Sequence, residues 1–167
     1  MMGLQEQPDG AGTVRKLREC EPSRQCSNGS SAHFRVERVT TQPENPFAAL
    51  IPSQNIAVIP RVALESGIEL KNVPVAYSTQ GTLNDAGDNV LVICHALSGS
   101  ADVNDWWGPL VGGAGKAFDI TRFFVICLNS LGSPYGSASP VTNMDGDPKF
   151  GRYGPDFPLT TIRDDVK

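Results

Sequence analysis

Two apolar runs, VLVICH (90–95) and FFVICLN (123–129), constrain this chain more than anything else in it. Each is long enough for a strand and too short to read as a helix. Neither alternates with polar residues, so each is expected to be buried on both faces, the usual state of parallel strands. Parallel neighbours need a crossover, and the stretch DWWGPLVGGAGKAFD (105–119) between them holds a short, glycine-broken helical one. The expected fold class is α/β with an incomplete, mostly parallel sheet.

Upstream, IAVIPRVAL (56–64) and IELKNVPVAYSTQG (68–81) read as two more strands joined by a tight turn at Glu65-Ser66-Gly67. Pro74 argues against a central ladder position in the second, because proline has no N–H to give. TLNDAGDN (82–89) is a loop. Downstream, residues 130–158 form a long loop dense in Gly, Pro and Ser, of the kind that is functional or disordered. Thr161 and Asp164 then match a capping box, so a helix should start near Ile162. Lys167 follows about one turn later, and a helix of one turn is unfavourable by itself. The chain thus reads as a disordered N-terminal extension (1–43) and a partial α/β domain (44–167) truncated at its C-terminal end.

Composition narrows the function classes. With 40% hydrophobic residues the chain can build a core, and a net charge of −4 gives no reason to expect nucleic acid or an anionic membrane as partner. No apolar run nears the ~18 residues of a bilayer span. The first forty residues lack the apolar stretch of a signal peptide, which points to the cytoplasm. Arg15, Lys16, Arg18 and Arg24 leave a mitochondrial leader open, against Glu6, Asp9, Glu19 and Glu21. Cys20, Cys26, Cys94 and Cys127 make no C-x-x-C pair, so neither a metal site nor a redox dithiol is expected. Cys94 and Cys127 end the two apolar runs and read as buried thiols, in keeping with a reducing compartment.

The motifs that carry chemistry are few. GGAGKAF (112–118) is not a phosphate loop, since Leu110 stands where the first glycine belongs and Ala117 where Ser or Thr belongs. Phe118 likewise replaces the third glycine of a dinucleotide fingerprint. No serine or cysteine sits in a G-x-S-x-G elbow. His33 and His95 are the histidines; Asp102 and Asp105 lie near His95 in sequence and could orient it, but no nucleophile accompanies them. One active-site part remains. HALSG (95–99) places a turn of small residues directly after a buried strand, where open α/β sheets hold their chemistry. A main-chain N–H there could face a developing oxyanion. A plain turn ending a strand explains the same residues.

Four blocks, NVPVAYSTQGTLND (72–85), VICHALSGSADVNDWWGPL (92–110), FFVICLNSLGSPYGSASPVT (123–142) and YGPDFPLTTIRDDV (153–166), closely resemble homoserine O-acetyltransferases of the α/β-hydrolase superfamily, in their fungal form. The likeness runs from about Asn45 to the last residue. It implies strands one to four of that fold, with 123–129 lying between 68–81 and 90–95, and a fifth strand expected on the free edge of 90–95. It implies acetyl transfer from acetyl-CoA to L-homoserine through a seryl acyl-enzyme, with no permanently bound cofactor. A homodimer is implied for the full-length member, and a role in methionine synthesis. Leu97 is assigned the oxyanion-hole N–H; His95, Ala96, Ser98, Asn129, Gly132 and Ser133 would line the crevice. Ser98-Gly99 stands where the family has Thr-Gly. The nucleophile, Asp and His of the triad would lie beyond Lys167, so these residues alone are expected to lack transferase activity and to be poorly soluble. Serine O-acetyltransferase or O-succinyltransferase activity, and a non-catalytic chain that associates with an intact homologue, are the alternatives.

Overall fold

The computed structural model describes residues 37–39 and 42–167. Its strands are β1 (Glu37–Val39), β2 (Asn55–Ala63), β3 (Glu69–Gln80), β4 (Val90–Cys94), β5 (Val111–Gly112), β6 (Phe118–Asp119) and β7 (Phe124–Leu128). Two short helices, α1 (Val103–Trp107) and α2 (Ile162–Asp165), accompany them. The main sheet runs β1-β2-β3-β7-β4, so 123–129 does lie between 68–81 and 90–95. Within this sheet only β4 and β7 are parallel; β1/β2, β2/β3 and β3/β7 are antiparallel. The sheet is therefore mixed, and the expectation of a mostly parallel one is corrected. A tight hairpin can join only antiparallel strands, which fixes β2 and β3.

The hairpin turn falls where expected, with Gly67 N–H donating to Leu64 O at 3.0 Å. Pro74 sits inside β3, opposite Val58. Its carbonyl accepts from Ala138 N–H at 2.8 Å, so its nitrogen also faces away from β2 and costs the β2/β3 ladder no bond. The expectation of disorder for 1–43 falls mainly on residues outside those described. Where it reaches Glu37–Val39 it is corrected, because these pair with Ile56–Val58 of β2.

Each sheet face carries a core. On one, Ile93, Val125 and Cys127 pack with Val103 and Val111, flanked by Leu91, Trp106, Phe118, Ile120 and Phe123. Burying such a valine or isoleucine contributes about 1.5–3 kcal/mol. The short, glycine-broken helical crossover expected over 105–119 is present only in the first part of that stretch. α1 starts at Val103, gives way to a 3₁₀ turn at Gly108–Leu110, and the glycines form a turn between β5 and β6, which pair in parallel. Trp106 and Trp107 lie 4.8 Å apart, and Trp107 stacks on Phe118 at 5.6 Å. On the other face Leu64, Leu70, Val73 and Ala138 form a second core with Leu131, Tyr153 and Phe157.

That second core does not reach β4. Val90 and Val92 are 45% and 58% exposed and Cys94 is exposed, while Ile93 is buried. The strand thus alternates, and the expectations that it is buried on both faces and that Cys94 is a buried thiol are corrected. Cys127 is buried as expected. Residues 130–158 are not structureless. Three 3₁₀ turns and a network of main-chain bonds organise them, among them Gly132 N–H to Ala138 O at 2.7 Å. Gly136 approaches β3 so closely that a Cβ there would stand 2.8 Å from Ala76 Cβ, at φ +119°. α2 begins at Ile162 with the Thr161–Asp164 capping box in place.

Candidate active site

Parallel pairing of β4 with β7 brings their C-terminal ends side by side, Cys94 opposite Leu128. The two segments that follow, 95–99 and 129–133, are therefore neighbours, and they hold Leu97 and the six residues expected to line the crevice. This is the edge of a sheet where ligand crevices form.

His95 is half-buried. Its Nδ1 lies 2.7 Å from Ala96 O, and its Nε2 accepts from Ser130 N–H at 3.2 Å. Neither Asp102 nor Asp105 orients it. Asp102 instead accepts from Ser53 Oγ at 3.1 Å. The main chain then folds into a turn closed by Gly99 N–H to Ala96 O at 2.7 Å. Leu97 and Ser98 are its two central residues. Ala96, Leu97 and Ser98 are exposed, and the Leu97 side chain is fully so. Among the described residues no acceptor meets Leu97 N–H, which is outside the β4/β7 ladder.

The second segment is more heavily bonded. Asn129 N–H donates to Ala76 O at 2.8 Å, and Asn129 O accepts from Ser137 Oγ at 2.5 Å. Ser137 Oγ in turn accepts from Ala76 N–H at 3.1 Å, so a serine side chain continues the β3 ladder past the end of β7. The Asn129 side chain is buried, and neither its Nδ2 nor its Oδ1 meets a protein partner among the described residues. A buried amide in that state costs about 1–3 kcal/mol unless water or a ligand satisfies it. Leu131 N–H donates to Asp165 Oδ1 at 2.8 Å and Ser133 N–H to Ser130 O at 3.1 Å. With Gly132 N–H already engaged, the 131–133 amides have no donor left for a ligand.

Ser130, Ser137 and Asp165 position these segments, and no sequence motif announced them. Two concavities open beside β2. One is lined by Ile56, Val58, Asn72, Pro74 and Thr142, the other by Pro43, Asn45, Pro46, Ala48 and Ile51; neither takes in a residue of 95–99 or 129–133. Among the described residues no group of three or more His, Cys, Asp or Glu gathers to hold a metal ion. What the arrangement offers chemically is a main-chain donor on a pinned turn.

No protein-family model matches the chain. Curated relatives do. The chain is 71% identical over 133 residues to a homoserine O-acetyltransferase of Emericella nidulans, covering 80% of this chain and 27% of that protein. It is 61% identical over 124 residues to that of Saccharomyces cerevisiae, covering 74% of this chain and 25% of that one. The chain thus spans about a quarter of the length of the relatives it matches. Among solved structures it is similar to homoserine O-acetyltransferase from Bacillus anthracis, with TM-score 0.53 and 32% identity over 66% of this chain and 33% of that one. It is also similar to esterase E22, with TM-score 0.57 and 35% identity over 68% of this chain and 34% of that one.

Proposed function

Over the residues matched this chain belongs to the homoserine O-acetyltransferase family, with the α/β-hydrolase fold, and from that premise we propose that it supplies the main-chain oxyanion donor of an acetyl transfer from acetyl-CoA to L-homoserine. The reaction proceeds in two steps. A serine outside these 167 residues, which contain no G-x-S-x-G elbow, attacks the thioester carbonyl, and the CoA thiolate leaves and takes up a proton. The homoserine hydroxyl then attacks the acyl-serine and gives up its proton, and the serine oxygen leaves and takes a proton up. Each addition places negative charge on the carbonyl oxygen. Leu97 N–H is one of two donors for that charge, the other being the N–H after the nucleophile. A donor fixed by the fold need not reorganise as the charge appears, and each is worth about 2.7–4 kcal/mol of barrier.

The observation that carries this reading is the Leu97 N–H, unengaged among the described residues, in a turn at the C-terminal end of a parallel strand. The test is a chimera in which the matched stretch replaces its counterpart in the Emericella nidulans relative. Leu97→Pro, which deletes the N–H, is expected to lower kcat about 10²–10³-fold with KM little changed. An unchanged kcat in a folded variant removes Leu97 from the mechanism.

Exposure of Val90 and Val92 on β4, whose second edge no described strand pairs, favours one further reading. In it the chain associates with an intact homologue through that edge and does no chemistry. Light scattering of the two proteins mixed separates this from self-association.

A further inference from the structure

We propose that His95 is a positioning residue: a neutral imidazole, held in the tautomer protonated at Nδ1, that pins the Ala96–Gly99 turn to the end of β7 and so sets where the Leu97 N–H points. The last clause rests on the acyl-transfer reading above; the tautomer and the pinning do not.

The two ring contacts leave one assignment. Ala96 O can only accept, so Nδ1 carries the proton across the 2.7 Å contact. Ser130 N–H can only donate, so Nε2 presents its lone pair at 3.2 Å. The opposite tautomer fails at both contacts, and an imidazolium fails at Ser130.

The imidazole also stands where the sheet stops helping. Cys94 opposite Leu128 is the last rung between β4 and β7. One residue further, Asn129 turns its N–H to Ala76 of β3 instead. Beyond that rung, beside the His95 main-chain N–H that reaches the Cys127 sulfur, the ring adds a tie to the segment after β7, joining residues 35 apart in sequence. On the turn side it grips the oxygen that also closes the turn, since Ala96 O accepts Gly99 N–H at 2.7 Å as well. Gly99 leaves room for this. A Cβ there would stand 3.3 Å from both Cβ and Nδ1 of His95 and 3.1 Å from Ala96 O.

Two experiments test the proposal. With His33→Gln the chain keeps a single histidine, and ¹⁵N spectra of the histidine-labelled chain report its tautomer. A protonated Nδ1 and a hydrogen-bonded, unprotonated Nε2 at neutral pH are expected. A dominant Nε2–H form, or the averaged signature of a free histidine, overturns the assignment. In the chimera, His95→Leu is expected to lower kcat about 100-fold, the scale of a misplacement of roughly 1 Å, with KM little moved. His95→Asn keeps a donor for Ala96 O and His95→Gln an acceptor for Ser130, and each is expected to recover part of kcat. Full activity in His95→Leu while Leu97→Pro remains impaired overturns the positioning role alone. Full activity in both overturns it together with the acyl-transfer reading.

Discussion

The carboxylate of Asp164 accepts a 2.8 Å hydrogen bond from Glu65 N–H, which ties the start of α2 to the β2–β3 turn across 99 residues of sequence. The same side chain accepts from Thr161 N–H at 2.9 Å, Thr161 Oγ1 at 3.1 Å and Lys167 Nζ at 3.1 Å. A helix of four residues does not persist on its own bonds. This one is held by what its cap reaches.

Burial raises the pKa of Asp164. The N–H groups of Thr161 and Glu65, then Lys167 and the Thr161 hydroxyl, outweigh that and hold it at about 2, below the ordinary 3.8. The ionised carboxylate is therefore favoured in the folded chain. Its stabilisation is complete above 3.8 and is lost as pH falls from there through about 2. Hydrogen exchange at the Glu65 amide should accelerate across that window. In Asp164→Asn the step is expected to vanish.

One-sided burial of the parallel pair predicts opposite outcomes at two valines. Val125 is 2% exposed, and Val125→Ala is expected to cost about 2 kcal/mol. Val92 is 58% exposed, and Val92→Lys is expected to stay within about 0.5 kcal/mol. Because it also places a charge on an edge strand, Val92→Lys should reduce self-association in light scattering. Denaturant titration measures the two stabilities.

The thiols should separate in reactivity. Burial, aided by nearby Cys94, pushes the Cys127 thiol up to about 11, and the residue is fully covered. Cys94 is exposed. A thiol-alkylating reagent at neutral pH is expected to modify Cys94 and spare Cys127 until the chain unfolds, as peptide mass spectrometry would show.

Gly136→Ala should be among the costliest small changes. Its φ of +119° is unfavourable for alanine, and the new methyl would lie 2.8 Å from both Ala76 Cβ and Gln54 Nε2. A loss of about 3 kcal/mol is expected, combining overpacking with backbone strain. Thermal unfolding of the variant checks it.

Much of this fold is legible in the chain because local rules decide it. The Glu65–Gly67 turn and the Thr161–Asp164 cap depend on residues within a few positions of one another. The adjacency of 68–81 to 123–129 came from resemblance. Apolar runs alone misled on burial. VLVIC contains no polar residue, yet Val90, Val92 and Cys94 face out, because which face of a strand is covered depends on what packs there. The turn at 95–99 was legible as small residues directly after an apolar run, and resemblance assigned its residues their roles. His95 had no motif to mark its partners, since Ser130 meets it through a main-chain amide that any residue type could supply.

Both tryptophans of the chain lie in α1, against each other, and Trp107 stacks on Phe118. Intrinsic fluorescence is therefore a local gauge. It will register loosening of the layer over Ile93 and Val125 and stay blind while the hairpin turn parts from α2. A melting curve followed by emission alone would mistake half a transition for the whole.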